Sequence, residues 1–250
     1  MQLFFVAKKI SPGQVFALSE LDYKHAVRVL RMQVGDKVET VGSDRVAFSA
    51  KIISIDSETA QIRVQAGDTP LQDTELPVDA EIICGLPKRE KTEWIVQKAT
   101  ELGASKIIFF AASRSIMQWR PQQVEKKLQR LQQIAHDAAA QSHRRQIPQV
   151  EFWPQLLKSL PQEGLNLVAY EEVVKAHEDH ALVSAFAQLT PQTPVIRMIF
   201  GPEGGLTEKE VADLAAQNVR SVGLGPRILR TETAPLYFLS SLSYAIELLN

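Results

Sequence analysis

The sequence predicts an α/β protein in two parts, a small strand-rich N-terminal domain followed by a mostly parallel sheet covered by helices. Three observations carry this expectation. Residues between 38 and 64 alternate apolar and polar side chains around short turns, the period of half-buried strands. From residue 80 onward, short apolar runs alternate with segments of helical period, which implies β-α units and parallel pairing. Between them lies a polar stretch from Ala66 to Pro77, with Gly67, Asp68 and Pro70, which reads as a linker. The expected domains are 1–75 and 76–250.

In chain order, Ser19 is the expected N-cap of a short helix whose apolar side is Ala26, Val29 and Leu30. Val38 and Thr40 begin a strand, and Gly42-Ser43-Asp44 supplies a turn. Val46, Phe48, Ala50 and Ile52 form the next strand. Asp56-Ser57-Glu58 turns the chain, and Ala60–Val64 returns. A small barrel would remove the edges of such a meander. In the second part, Ala80–Cys84 is a strand and Glu90–Leu102 a helix, with Gly103 at the C′ position. Ile107–Ala111 is a buried strand. Pro121 opens a helix with Val124, Leu128, Leu131, Ile134, Ala135 and Ala138 on one face. Leu165–Tyr170, Val195–Phe200 and Val219–Leu224 are strands. Asp179–Gln188 and Ala234–Leu249 are helices, and Thr207 with Glu210 forms a capping-box pattern.

Composition narrows the function. Of 250 residues, 45% are hydrophobic and 23% charged, which excludes wholesale disorder and a collagen-like repeat. No apolar run approaches the roughly 20 residues that span a bilayer, and the N-terminus lacks the order of a signal peptide. Cys84 is the one cysteine, so neither an internal disulfide framework nor a cysteine-based zinc site is expected. His177 and His180 beside Glu178 and Asp179 read as an acidic surface turn, and no metal ligands are expected. A cytoplasmic protein is the resulting expectation. The net charge of −1 hides a basic middle: residues 76–150 carry 12 basic and 7 acidic side chains, a net of +5. Such a segment can meet phosphates, or it can be an ordinary solvated surface.

Two segments carry chemistry. Phe200-Gly201-Pro202-Glu203-Gly204-Gly205-Leu206-Thr207 follows a strand and opens a helix. Its glycines let backbone approach a ligand closely, and helix-start amides favour anionic or accepting groups. It matches neither a phosphate-binding P-loop nor the Gly-x-Gly-x-x-Gly fingerprint, and a tight turn is the bland alternative. Leu224-Gly225-Pro226-Arg227-Ile228-Leu229-Arg230-Thr231-Glu232-Thr233-Ala234-Pro235 also joins a strand to a helix. Thr233 is placed to cap that helix. The arginines suit phosphate or base contacts, or Arg230 and Glu232 form a surface pair of little weight.

Together these segments resemble the SPOUT superfamily of S-adenosylmethionine-dependent RNA methyltransferases. Within it the chain is most similar to the ribosomal RNA small-subunit methyltransferase E family, which methylates uracil N3. Supporting matches are Lys88, Gln97–Gly103, Arg114-Ser115, Gln141-Ser142 with Arg144 and Pro148, and His25 with Val29-Leu30-Arg31. The chain departs from the family pattern at Leu3, Phe200, Ser113, Ala140 and His143; the last stands where relatives carry glycine.

The resemblance implies a PUA-like barrel over 1–75 and a trefoil-knotted sheet with helices on both faces over 76–250. It implies S-adenosylmethionine as cofactor, S-adenosylhomocysteine as product, a homodimer, and 16S rRNA or the small ribosomal subunit as partner. Cofactor contacts map to Tyr170 and Glu171, to Phe200, Gly201, Pro202, Glu203, Gly204 and Gly205, and to Leu224, Gly225, Arg227, Ile228 and Leu229, with Thr233 and Ala234. Gly204 is expected to present its backbone to the cofactor. Uracil N3 is protonated and lies on the pairing edge, so reaction requires an unpaired base and stabilisation of the N3 anion. Arg230 is the candidate for that stabilisation. Glu232 is the candidate to orient Arg230 or accept the proton. Candidate RNA contacts are Arg28, Arg31, Lys88, Arg114 and Arg144. Another RNA site, a ribose 2′-oxygen acceptor, or a catalytically silent ribosome-assembly module are the alternatives.

Overall fold

A computed structural model of the chain describes residues 1–88, 91–170, 181–190 and 195–249. They divide into two units, Met1–Glu75 with Ala139–Gln146, and Leu76–Ala138 with Ile147–Asn250. In the first unit, strands β1 (Gln2–Phe5), β2 (Val15–Ala17), β3 (Lys37–Val41), β4 (Ala47–Asp56) and β5 (Gln61–Pro70) form one sheet in the order β1-β3-β4-β5-β2. The alternation read from the sequence becomes one buried face: Val38, Ala50, Ile52, Ile62 and Val64 pack with Phe4, Tyr23 and Ala26.

The first unit departs from the sequence reading in two places. Residues Ala66–Pro70 are strand and not linker, because β4 runs ten residues and offers partners opposite Gln65 and Ala66. Pro70 ends that strand, where no ladder donor is required. Val29 and Leu30 do not form an apolar helix face; Val29 is 66% exposed. Helix α1 (Glu20–Tyr23) starts at the expected N-cap Ser19, which forms a capping box with Asp22, but then widens over Lys24–Val29. The Leu30 N–H bonds to the His25 carbonyl, a five-residue step, and Arg28, Val29 and Leu30 turn away from the core.

In the second unit, β6 (Asp79–Gly85), β7 (Lys106–Phe110), β8 (Gln149–Trp153), β9 (Leu165–Ala169), β10 (Val195–Phe200) and β11 (Arg220–Val222) form a six-stranded sheet. Their order is β11-β9-β10-β6-β7-β8 and every pairing is parallel. Successive side chains on these strands face opposite layers. Ile82, Cys84, Phe109 and Phe200 pack against α2 (Lys91–Glu101), α3 (Pro121–Gln141), α5 (Ala181–Phe186) and α7 (Ala234–Ser243). Ile83, Ile108, Val168 and Ile199 pack against α4 (Leu156–Ser159) and α6 (Glu208–Ala215) on the other face. Burial pushes the Cys84 thiol up, which leaves it an inert core group. Trp119 is also core, tilted against Phe109 and Phe152. Strand β8 lies at the sheet edge with only Val150 buried, and helix α4 has four residues, so neither shows an apolar run or a period in the sequence. Of the helix expected at Asp179–Gln188, residues 179 and 180 lie outside the described residues, as do His177 and Glu178.

Gly103 ends α2 at φ +93°, the left-handed cap that glycine permits. Helix α3 ends on a comparable turn: Arg144 N–H bonds to the Ala139 carbonyl and His143 adopts φ +57°. His143 therefore occupies a left-handed position that explains the glycine of the family pattern. Its Nδ1 lies 2.7 Å from Glu39 Oε2.

Candidate active site

Strand β11 stops at Val222, two residues short of the expected Leu224. This frees residues 223–233 as a long connection at the C-terminal end of the sheet. The connection after β10 leaves from the same end. Such carboxyl ends of parallel strands are where ligands bind in open α/β sheets.

The loop after β10 is a tight turn closed by the Gly205 N–H donating to the Pro202 carbonyl at 2.8 Å. Gly205 has φ +68°, and among the described residues nothing stands within 4 Å of where a side chain would project. Gly225 has φ +82°, with the Tyr237 hydroxyl 3.5 Å from its missing Cβ. Both stretches are bare backbone, uncrowded at the first and in ordinary contact with Tyr237 at the second, and they fit a ligand held by main-chain groups. Gly201 is different: a Cβ there would stand 2.9 Å from the Gly205 carbonyl carbon, so its role is to let the turn fold on itself. Gly85, at the end of β6, has the same kind of role. A Cβ on it would lie 2.6 Å from Pro202 Cδ. Gly85→Ala is expected to cost about 1–3 kcal/mol through overpacking, read by denaturant unfolding.

The β10 loop is braced from outside. Arg114 Nη1 donates to the carbonyls of Gly204 (3.1 Å) and Leu206 (3.3 Å). Thr207 and Glu210 form the expected capping box at the start of α6. Glu210 also accepts from the Ser113 N–H at 2.9 Å. Burial raises the Glu210 pKa, but these donors outweigh it and hold the carboxyl below its ordinary value. The missing Cβ of Gly204 points at Arg114 Cβ, 3.0 Å away, and not into the open space where cofactor contact was expected.

An ion cluster joins the loops. Lys91 Nζ lies 3.0 Å from Glu203 Oε1 and 2.9 Å from Glu232 Oε2. Glu203 also accepts from the Lys88 N–H at 3.0 Å. For Glu203 and Glu232, burial raises the pKa and the surrounding donors more than reverse it. Both carboxylates are thus ionised at neutral pH. The Lys91 ammonium is pushed up by the two carboxylates beside it, Glu232 and then Glu203. Sequence reasoning missed Lys91. The signal available was a lysine in the first turn of a helix, where the backbone dipole disfavours a cation.

The remaining candidates divide as follows. Tyr170 stands just past the end of β9, one residue beyond the strand in which it was expected, its N–H donating to the Val222 carbonyl; Glu171 lies outside the described residues. Phe200 is buried and packs edge-on to Phe238, so it shapes the core beneath the loop. Pro202 is buried, Leu224 and Leu229 are half-buried, and Arg227 and Ile228 are exposed, Ile228 by 85%. Thr233 stands at the N-cap of α7 but makes no side-chain cap. The Arg230 carbonyl instead accepts from the N–H groups of Thr233 and Ala234, which pins the Arg230 backbone and leaves its side chain exposed. Glu232 pairs with Lys91, and the Arg230 charge also acts on its carboxyl without a contact at ion-pair distance. Arg28, Arg31 and Lys88 are exposed. Arg114 spends its guanidinium on the loop carbonyls. Arg144 is 3% exposed and paired with Glu75, so it is a structural residue of the first unit and not a free phosphate contact. Among the described residues no cluster of metal-ligating side chains occurs, and no helix is long and apolar enough to cross a membrane.

Residues 74–243 match the family model of the RNA methyltransferase domain, and residues 18–65 match that of the RNA methyltransferase PUA domain. The chain is 39% identical to ribosomal RNA small subunit methyltransferase E of Bacillus subtilis over 100% of its own length and 98% of that protein's. A solved structure described as a hypothetical protein is 36% identical, with TM-score 0.89 and both chains covered fully. A putative methyltransferase from Legionella pneumophila, solved with bound S-adenosylmethionine, is 27% identical, with TM-score 0.77 over 97% of each chain. A match of this identity over the full length, carried by both domains and both glycine loops, leaves one assignment: the chain belongs to the ribosomal RNA small subunit methyltransferase E family.

Proposed function

We propose that the protein transfers a methyl group from S-adenosylmethionine to N3 of a uridine in 16S rRNA. The observation that carries this is the pair of left-handed glycines, Gly205 and Gly225, on two loops at the same end of the parallel sheet, the first beside open space among the described residues and the second beside the Tyr237 hydroxyl. When bound, the cofactor supplies an electrophilic sulfonium methyl, so the protein's task is to hold, orient and stabilise. The backbone of 201–205 and 224–229 holds the cofactor. Tyr170 closes the third side at the end of β9, and Glu171 shares that role in this reading.

Arg230 stabilises the uracil anion formed when the N3 proton passes to solvent water, and the anion then takes the methyl at N3. Its pinned backbone and exposed guanidinium suit that task. Glu232 is a weak base in this setting, since its pKa is depressed and an ammonium neutralises it. Its role here is to position the loop that carries Arg230. The N-terminal unit contributes RNA contacts through the exposed Arg28 and Arg31, and Lys88 does so on the catalytic unit. A homodimer forms part of the same reading. Trp94 on α2 and Tyr237, Tyr244 and Leu248 on or just after α7 are exposed apolar groups on neighbouring helices. A knotted thread through the cofactor loops and a cytoplasmic location, where ribosomes are assembled, complete it.

Gly204→Val is expected to weaken S-adenosylmethionine binding about tenfold, by displacing Arg114 from the loop carbonyls. Calorimetry on Gly204→Val and Arg114→Ala checks the route: the two losses should be similar and should not add. The function itself is tested by labelled-methyl transfer to small subunits from cells lacking the protein, followed by nucleoside mass spectrometry. New 3-methyluridine in 16S rRNA is the expected product. A methylated ribose, or cofactor binding without transfer to a competent substrate, would reject the proposal.

A further inference from the structure

The two glycine loops lack a direct connection through the sheet. Strand β9 lies between β10 and β11, so no ladder hydrogen bond links the strands from which the loops leave. Lys91 spans that gap, with Glu203 of one loop and Glu232 of the other both within ion-pair distance of one ammonium. The neighbouring Lys88 N–H adds a second bond to Glu203. All three side chains are part-buried, at 20–30% exposure, which spares the pairs the full screening of a surface bridge. Glu232 Oε2 is buried with no aligned hydrogen bond, so the ammonium is what compensates it. A lysine in the first turn of α2 works against the helix dipole, so helix stability does not account for it.

We infer that Lys91 is a positioning residue that couples the two cofactor loops, holding Glu203 and Glu232 so that the backbone of 201–205 and 224–229 closes on one cofactor molecule. The inference rests on the reading of these loops as the S-adenosylmethionine site. Its content is energetic: each loop reaches its binding geometry more readily when the other is in place, and the coupling passes through one ammonium.

The test is calorimetric S-adenosylmethionine binding to the full chain, with melting temperature followed in parallel. Lys91→Met is expected to weaken binding roughly tenfold and Lys91→Arg to recover most of the loss, since a guanidinium also reaches two carboxylates. The deciding measurement is a cycle between the loops. The effects of Glu203→Gln and Glu232→Gln on cofactor affinity should be non-additive when Lys91 is present, and additive in the Lys91→Met background. A purely structural salt bridge would lower melting temperature and leave the two substitutions additive in both backgrounds, which overturns the inference. Wild-type affinity in both Lys91 variants overturns it as well. If Lys91→Met does not fold, additivity of the two glutamine substitutions in the otherwise unchanged chain is sufficient to reject coupling. A wild-type chain that binds no S-adenosylmethionine would instead bring down the functional reading, and the inference with it.

Discussion

Arg230→Ala is expected to lower the rate of methyl transfer by roughly 10²–10³ while leaving cofactor affinity within about threefold, the signature of a lost charge-stabilising donor. The split follows from where Arg230 sits. Its carbonyl holds the start of α7 through the N–H groups of Thr233 and Ala234, and alanine keeps that carbonyl. Its guanidinium is exposed, and Glu232, two residues on, is in ion-pair contact with Lys91. Truncation therefore removes a positive charge from the mouth of the site without unmaking the loop. Arg230→Lys should recover only part of the rate, since a point charge does not reproduce a planar fork. Single-turnover kinetics at saturating cofactor, with calorimetry alongside, is the measurement. Equal losses in rate and cofactor affinity would show that Arg230 supports the loop, and normal turnover would remove it from the mechanism.

Arg144→Ala is expected to destabilise the N-terminal unit by about 3–5 kcal/mol, the cost of removing one member of a buried ion pair. Arg144 Nε lies 3.2 Å from Glu75 Oε2, and Glu75 Oε1 accepts the N–H of Arg145 at 2.6 Å. Arg145 in turn donates to the carbonyls of Leu71 and Gln72. One carboxylate thus anchors the turn after α3 to the segment that ends the first unit. Denaturant unfolding reads the loss. If RNA binding falls too, its salt dependence should stay that of the wild type, because no phosphate contact has been removed. Unchanged stability with a shallower salt slope would return Arg144 to the RNA-facing surface.

These two arginines show where sequence reading succeeds and where it stops. Both stand in segments that resemble the same family, and both residue types suit RNA equally well on paper. One has its carboxylate partner taken by a lysine, 141 positions away in the chain; the other has a carboxylate of its own, from 69 positions away. Pairing at such separations leaves no period or spacing to read. The same limit applies to Gly204, whose missing Cβ faces Arg114 from 90 positions away, and to Val29, which a single widened helical turn swings out to solvent.

Local chemistry was legible throughout. The N-cap at Ser19, the capping box at Thr207, the left-handed cap at Gly103 and the alternation of β4 all depend on neighbours within a few positions, and each stands where the residues place it. The apolar runs of β6, β7, β9 and β10 determine a buried parallel sheet, because only strands covered on both faces can be that continuously hydrophobic. The order of those strands was not legible. Tertiary packing decided that β9 separates β10 from β11, and so decided that the two glycine loops would need a lysine from a third segment to join them. Periodicity records which face of an element is dry, whereas the partner of a charge is set by closure of the whole chain.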